Sequence, residues 1–206
     1  MALYWSWAFG PETAVQLDNE MGFDLTATST GEINPTTTYT YTYPGSPTRY
    51  SLGIERGDYL LTPTPVWIDA GWVCIPIYTE DQWAASTANH LVSVQGNNQQ
   101  VFVYPSNSTT GELSLRFTGG GTSTFVISGT YSVNDWHYVA LKYDTSIASP
   151  TAEVWINGVQ QLAATASWSG TANTSGRYRS GGFSNLLTPP ADVIVTGKLV
   201  SYFKAT

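Results

Sequence analysis

Little in this chain can hold a fold together covalently or through a metal. Its 206 residues include one cysteine, Cys74, and two histidines, His90 and His137. That excludes an intrachain disulfide and leaves a tetrahedral zinc site short of donors. Charge is scarce as well: 8 basic and 15 acidic residues give a net charge of −7, with 11% of positions charged. The basic residues scatter from Arg49 to Lys204, and only Arg177 and Arg179 stand close together. Phosphate backbones are held by clustered Lys and Arg, so no nucleic-acid partner is expected. Apolar runs are short and none approaches the ~20 residues of a bilayer-spanning helix, so no membrane partner is expected either. The opening Met1-Ala2-Leu3-Tyr4-Trp5-Ser6 has no basic n-region, and Glu12 and Asp18 interrupt any apolar run near it, so no secretory signal is expected. A sustained helical period is missing too.

What is present is aromatic and β-prone. Trp, Tyr and Phe make up 14% of the chain, enough large side chains to fill much of a core. A single domain of this length buries roughly 70% of its unfolded surface, and 1–206 reads as one domain without linker or repeat. Short β-prone runs recur between Gly, Pro, Asn and Ser clusters, the pattern of a β-sandwich or jelly roll. The early runs are Ala2 to Phe9, Phe23 to Thr28, Tyr50 to Ile54, Tyr59 to Leu61 and Gly71 to Tyr78. Thr36 to Tyr43 alternates strictly, with Tyr39, Tyr41 and Tyr43 on one face and threonines on the other. His90 to Gln95 and Gln99 to Tyr104 read as a hairpin, and Glu112 to Phe117 with Ser123 to Ile127 as another across Gly119-Gly120-Gly121. After Tyr178 to Phe183, one final run extends from Asp192 to Phe203 and is expected beside the first strand. Cys74, between Val73 and Ile75, reads as a small buried hydrophobe.

The most specific stretch is Trp136-His137-Tyr138-Val139-Ala140-Leu141-Lys142-Tyr143-Asp144, with Ala152-Glu153-Val154-Trp155-Ile156-Asn157-Gly158-Val159 after it. Period two puts Val139, Leu141 and Tyr143 on the core face, with Trp136, Tyr138 and Lys142 opposite. In the next strand Ala152, Val154 and Ile156 face the core and Trp155 lies opposite. Asn157-Gly158 calls for a type I′ turn, whose two central residues need φ > 0, and Val159 to Ala164 returns from it. These residues resemble the laminin-G-like (concanavalin A-like) family, with its Trp-His-x-Val-Ala-x-x-Tyr-Asp strand and subsequent Asn-Gly hairpin. The resemblance implies an all-β fold, an antiparallel jelly-roll β-sandwich, and leaves function open, because the fold hosts lectins, adhesion modules, glycan-cleaving enzymes and viral surface proteins.

Chemistry is hard to find. The glucanases of this fold carry three acids on one strand face, and retaining hydrolysis needs two carboxyls about 5 Å apart. Asp18 and Glu20 lie in Gln16 to Glu20, which reads as a loop, and Glu80 and Asp81 are sequential. No catalytic residue is assigned. His137 belongs to the family pattern and reads as a structural hydrogen-bonding residue. Calcium is the one ion the resemblance brings up, with Asp69, Asp81 and Asp144 near strand ends as candidates. Calcium takes six to eight oxygens, and no Asp-rich loop supplies them, so no cofactor is assigned.

The expectation is therefore a non-catalytic module working through its surfaces. An outer-surface composition without an export signal fits a protein made in a host cytoplasm and exposed on a virion. The chain is also similar to laminin-G-like proteins of bacteriophage particles, which implies a capsid-decoration or tail-appendage subunit. Its partners would be other virion proteins and further copies of itself as a homo-oligomer. The alternative is a carbohydrate-binding adhesin or lectin attaching to a host-surface glycan; a polysaccharide hydrolase or lyase ranks last. The contact residues expected for a partner or a glycan are Tyr39, Tyr41, Tyr43, Trp5, Trp7 and Trp168.

Overall fold

The computed structural model describes residues 2–8, 19–21, 26–28, 39–41, 49–54, 59–61, 69–79, 89–96, 98–107, 110–132, 135–168, 176–182, 194–196 and 199–204. Side chains are described within 69–168. Along the chain run β1 (Ala2–Ala8), β2 (Asn19–Met21), β3 (Thr26–Thr28), β4 (Tyr39–Tyr41), β5 (Arg49–Ile54) and β6 (Tyr59–Leu61). The longer central strands are β7 (Ala70–Thr79), β8 (Asn89–Gly96), β9 (Gln100–Asn107), β10 (Glu112–Thr118), β11 (Thr122–Val126) and β12 (Trp136–Asp144). After them come β13 (Thr151–Ile156), β14 (Val159–Thr165), β15 (Gly176–Gly182), β16 (Ile194–Thr196) and β17 (Leu199–Lys204). Among the described residues there is no helix.

The strands form two antiparallel sheets, a β-sandwich. The larger, ten-stranded sheet runs β14-β13-β12-β7-β16-β5-β4, with β17, β1 and β2 joined to it through β7; the smaller runs β11-β10-β9-β8-β15-β6-β3. Between them lies one buried cluster. The larger sheet contributes Val73, Ile75, Ile77, Val139, Leu141 and Val154, and the smaller Val94, Val101, Val103, Leu113, Leu115 and Phe117. This is the outcome of period two on facing sheets, whose inner side chains interdigitate. The expected core faces of β12 and β13 are both inward: Tyr143, Ala152 and Ile156 join the same cluster. The smaller sheet also buries part of its other face. Phe102 and Tyr104 are buried although they alternate with Val101 and Val103, and the His90 ring stacks on Phe102 at 3.9 Å.

The β13–β14 turn is held by its own sequence. Asn157 and Gly158 have φ of 53° and 81°, the left-handed pair of a type I′ turn. Asn157 also fastens the turn to β12: its Oδ1 accepts from the Tyr138 N–H at 2.8 Å, and its own N–H donates to the Tyr138 carbonyl at 2.9 Å. In the turn between β10 and β11, a Cβ at Gly119 would come within 2.7 Å of Gln99 Cγ, so the close approach of the Gln99 side chain favours glycine there.

Two sequence expectations change. Asn19 and Glu20 are not loop; with Met21 they form β2, paired to β1 through Ser6↔Met21 and Trp7↔Asn19. Three residues are too few for a period-two signal to show. The final run is interrupted: from Thr196 to Ser201 the chain advances five residues while its partner β7 advances three, from Ile77 to Cys74. The sheet forks there, β16 continuing to β5 and β17 to β1. The expected pairing of the last strand with the first is present, Trp7↔Val200 and Trp5↔Tyr202.

Candidate functional site

The outward face of the larger sheet carries an organised polar and aromatic cluster. Antiparallel register sets Trp72, Lys142, Glu153 and Ala163 in one row across β7, β12, β13 and β14. The next row holds Cys74, Ala140, Trp155 and Gln160. Trp72 and Trp155 sit diagonally, half-buried, with ring centroids 6.0 Å apart and planes tilted by 53°. The small Ala140 and Cys74, each 6% exposed, form the floor beside them, and Tyr138 bounds the floor from β12.

Electrostatics hold the tryptophans in place. Lys142 Nζ lies 2.6 Å from Glu153 Oε1 and 5.7 Å from the Trp72 ring centroid. The other Glu153 oxygen, Oε2, accepts from Trp155 Nε1–H at 3.2 Å. One carboxylate therefore ties the lysine and one indole together, and the lysine in turn faces the second indole. The ion-pair side chains are 43% and 27% exposed, so solvent screening keeps the pair to ~1 kcal/mol or less. Its role is orientation. Beneath, burial pushes the Cys74 thiol up from its ordinary pKa, and a hydrogen bond with the Tyr138 side chain pulls the other way. Cys74 is thus a protonated, buried thiol at neutral pH.

Such a surface suits a ligand with a flat apolar face and hydroxyls at its edge. Two tilted indoles offer π-faces, and the ammonium has N–H donors beyond the one given to Glu153. Trp155 is legible from alternation, opposite Val154 and Ile156. Trp72 is not, because it enters the cluster only when β7 docks beside β12, a pairing 70 residues apart along the chain between Trp72 and Lys142. The signal available is Trp72 preceding the apolar Val73-Cys74-Ile75 run.

The residues expected as contacts fall elsewhere. Trp5 and Trp7 are in β1, where the row Trp5–Tyr202–Val73 continues into Leu141 and Val154. Tyr39 and Tyr41 are in β4, the last strand of the ordered path, paired to Ser51 and Arg49. Tyr43 lies outside the described residues. Trp168 is half-buried, edge-on to Phe117 at 6.3 Å with interplanar angle 70°, and packs against the core cluster. Its Cδ1 lies by Gly119, at the turn between β10 and β11. Of these only Trp168 has a described side chain, and its described ring partner is Phe117 rather than Trp72 or Trp155.

The candidate calcium residues have local duties. Asp144 Oδ1 accepts from Ser146 N–H at 3.0 Å and Ser146 Oγ at 2.6 Å. The Asp69 carbonyl accepts from Thr145 N–H at 2.7 Å and Thr145 Oγ1 at 2.9 Å. Asp81 lies outside the described residues. Among the described residues no three His, Cys, Asp or Glu side chains group as metal ligands. His137 lies buried, its Nε2 2.8 Å from the Ser132 carbonyl and its ring edge-on to Tyr131 at 5.6 Å.

No protein-family model matches this sequence, and no curated protein matches it. Solved structures do match in fold. One is botulinum neurotoxin type C, from work on the dependence of its cell entry on two ganglioside molecules: 10% identity, TM-score 0.60, covering 100% of this chain and 48% of that one. The binding domain of botulinum neurotoxin serotype D is similar at 11% identity and TM-score 0.56, covering 98% and 48%. Alginate lyase Aly36B matches over 98% of both chains at 11% identity and TM-score 0.55. The chain spans about half the length of the neurotoxin chains. At these identities the likeness is one of fold, an antiparallel β-sandwich.

Proposed function

We propose that this chain is a non-catalytic binding module that holds carbohydrate on the outward face of its larger sheet. The carrying observation is the Trp72–Trp155 pair, half-exposed and tilted by 53° at 6.0 Å. In this reading the indoles stack on sugar rings, and the Lys142–Glu153 pair keeps them oriented and hydrogen-bonds hydroxyls at the margin. The neurotoxin neighbour whose cell entry depends on gangliosides supports a sandwich of this shape as a glycan-binding scaffold, by analogy of fold alone. The non-catalytic assignment rests on the sequence, which has no acid triplet on one strand face.

The proposed setting is the exterior of a bacteriophage particle, as a capsid-decoration or tail-appendage subunit meeting a host-surface glycan. What supports it is the similarity of the chain's opening to laminin-G-like proteins of phage particles, together with a composition rich in polar uncharged residues and only 11% charged. A glycan array probed with the purified chain, and then titration of any hit against Trp155→Ala, tests the binding reading. Binding that falls at least tenfold in the variant, with an unchanged melting curve, supports it. An array without hits, or a hit indifferent to Trp155, rejects it.

A further inference from the structure

The smaller sheet gathers cationic positions that lie far apart along the chain. Antiparallel register sets Arg179, Ser93, Phe102, Arg116 and Thr124 in one row across β15, β8, β9, β10 and β11. Arg177 stands opposite Gln95 in the adjoining row, which continues to Gln100 and Thr118. Both rows alternate with Val101, Leu115 and Phe117, which fill the core, so they belong to the outward face. Three of the chain's eight basic residues thus share two rows that hold no Asp or Glu.

At Arg116 the cation is left without an acceptor. The side chain is half-exposed, yet its Nε is buried and has no hydrogen-bond partner. Its neighbours bring no carboxylate: Phe102 lies directly opposite on β9, and Ser114 is buried two residues back. The acid on the same strand, Glu112, takes a hydrogen bond from Ser106 Oγ at 2.9 Å. A buried donor on a charged group carries its full desolvation penalty when nothing accepts from it. A ligand oxygen arriving at that edge removes the penalty.

We infer that Arg116 is the centre of a carboxylate-binding site on the outward face of the smaller sheet, separate from the Trp72–Trp155 cluster on the other sheet. The ligand chemistry follows from the guanidinium. Its Nε–H and one Nη–H lie parallel along one edge of the plane and match the two oxygens of a carboxylate. Thr124, exposed and directly opposite on β11, brings a hydroxyl donor to the same place. Arg179 is three strand spacings away, roughly 14 Å, and with Arg177 it supplies positive potential felt mainly at low ionic strength. In a chain of net charge −7, an anion needs such a local field to approach. The carboxylate can come from a small free acid or from the acid group of a sugar, and the test separates the two.

The test reads the Arg116 Nε–Hε group directly, in a proton–nitrogen correlation spectrum of the full chain with the peak assigned through bonds from its own backbone. The probes are acetate, glucuronate, the methyl ester of glucuronate, and sulfate, all at one fixed ionic strength. The expected result is a saturable shift of the Arg116 peak in acetate and in glucuronate, with dissociation constants on the order of 1–10 mM, and none in the methyl ester. Tighter binding of glucuronate than of acetate assigns the acid to a sugar; equal or weaker binding assigns it to a small free carboxylate. Arg116→Lys keeps the charge but loses the fork, and should weaken either carboxylate at least tenfold, followed at the Thr124 backbone peak. An Arg116 peak that stays still in both carboxylates, or that follows the methyl ester equally, overturns the inference. So does a peak that moves only in step with every other arginine, tighter binding of sulfate than of either carboxylate, or full affinity in Arg116→Lys. The indoles of the larger sheet take no part in this measurement, so its failure and the failure of the sugar-stacking reading are separately visible.

Discussion

The two faces of the β12–β13 ribbon share a backbone, a register and a turn, yet do different work. Inward, Val139, Leu141, Val154 and Ile156 are buried in the sandwich core. Outward, Tyr138, Lys142, Glu153 and Trp155 remain half-exposed, the last three tied together by one carboxylate. The inner face is set by volume, since any void there forfeits packing on all sides. The outer face is set by direction: which N–H reaches which oxygen, and how two rings tilt. Core packing and outward side-chain orientation are therefore separable along a single hairpin, alternate residue by alternate residue.

The sharpest break of that contrast comes from the core. Leu141→Ala should cost about 2–5 kcal/mol in a urea melt, while any sugar binding found for the parent should persist in the folded fraction. A loss below ~1 kcal/mol would mean that the inward face is not the packed one. The turn joining the faces to the edge comes next. Gly158→Ala has open space around its Cβ but a φ of +81°, so backbone strain alone should cost about 1–2 kcal/mol. Gly121→Ala, equally open and with no left-handed φ, serves as its control and should leave the melt within ~0.5 kcal/mol. On the outer face the effects shrink. A double-mutant cycle of Lys142→Met and Glu153→Gln should return a coupling of ~1 kcal/mol or less, detectable more readily as a change in Trp155 fluorescence than in stability.

The smallest effect lies under the outer face and emerges only in alkali. Cys74 has its thiol pushed up from 9.0 by burial. That group stabilises the fold fully below its ordinary value, and the contribution is lost as pH rises through the higher folded value. Tyr131, raised from 10.0 by burial, acts in the same sense. Stability should be flat from neutrality to pH about 9 and then fall. Cys74→Ala should soften that fall, and a slope identical to the parent's would show that the thiol is not coupled to folding.

Much of the strand order is readable because the sequence alternates where one face is wet. The β12–β13–β14 meander, its Asn157-Gly158 turn and its core residues follow from period two and turn chemistry alone. The β8–β9 and β10–β11 hairpins follow from the turn residues Gly96-Asn97-Asn98 and Gly119-Gly120-Gly121. Short strands escape this logic: Asn19–Met21 gives no period, and the break between Thr196 and Leu199 is dictated by how β7 shares its length between two partners. The site is half legible. Trp155 can be placed opposite the core from its own strand, whereas Trp72 requires knowing that β7 lies beside β12.

The sequence by itself determined the class of fold, the inward and outward sets of β12 and β13, and the left-handed turn at Asn157-Gly158. Those depend on interactions between residues near in the chain, where sterics and hydrophobic period act locally. Tertiary structure alone decided which outward residues meet. Trp72, Lys142, Glu153 and Trp155 become a cluster through register between strands distant in sequence, and β14 becomes an edge only because no described strand pairs beyond it. Pairing across long loops is a global competition among alternative partners, and a one-residue change of register would turn every side chain to the opposite face.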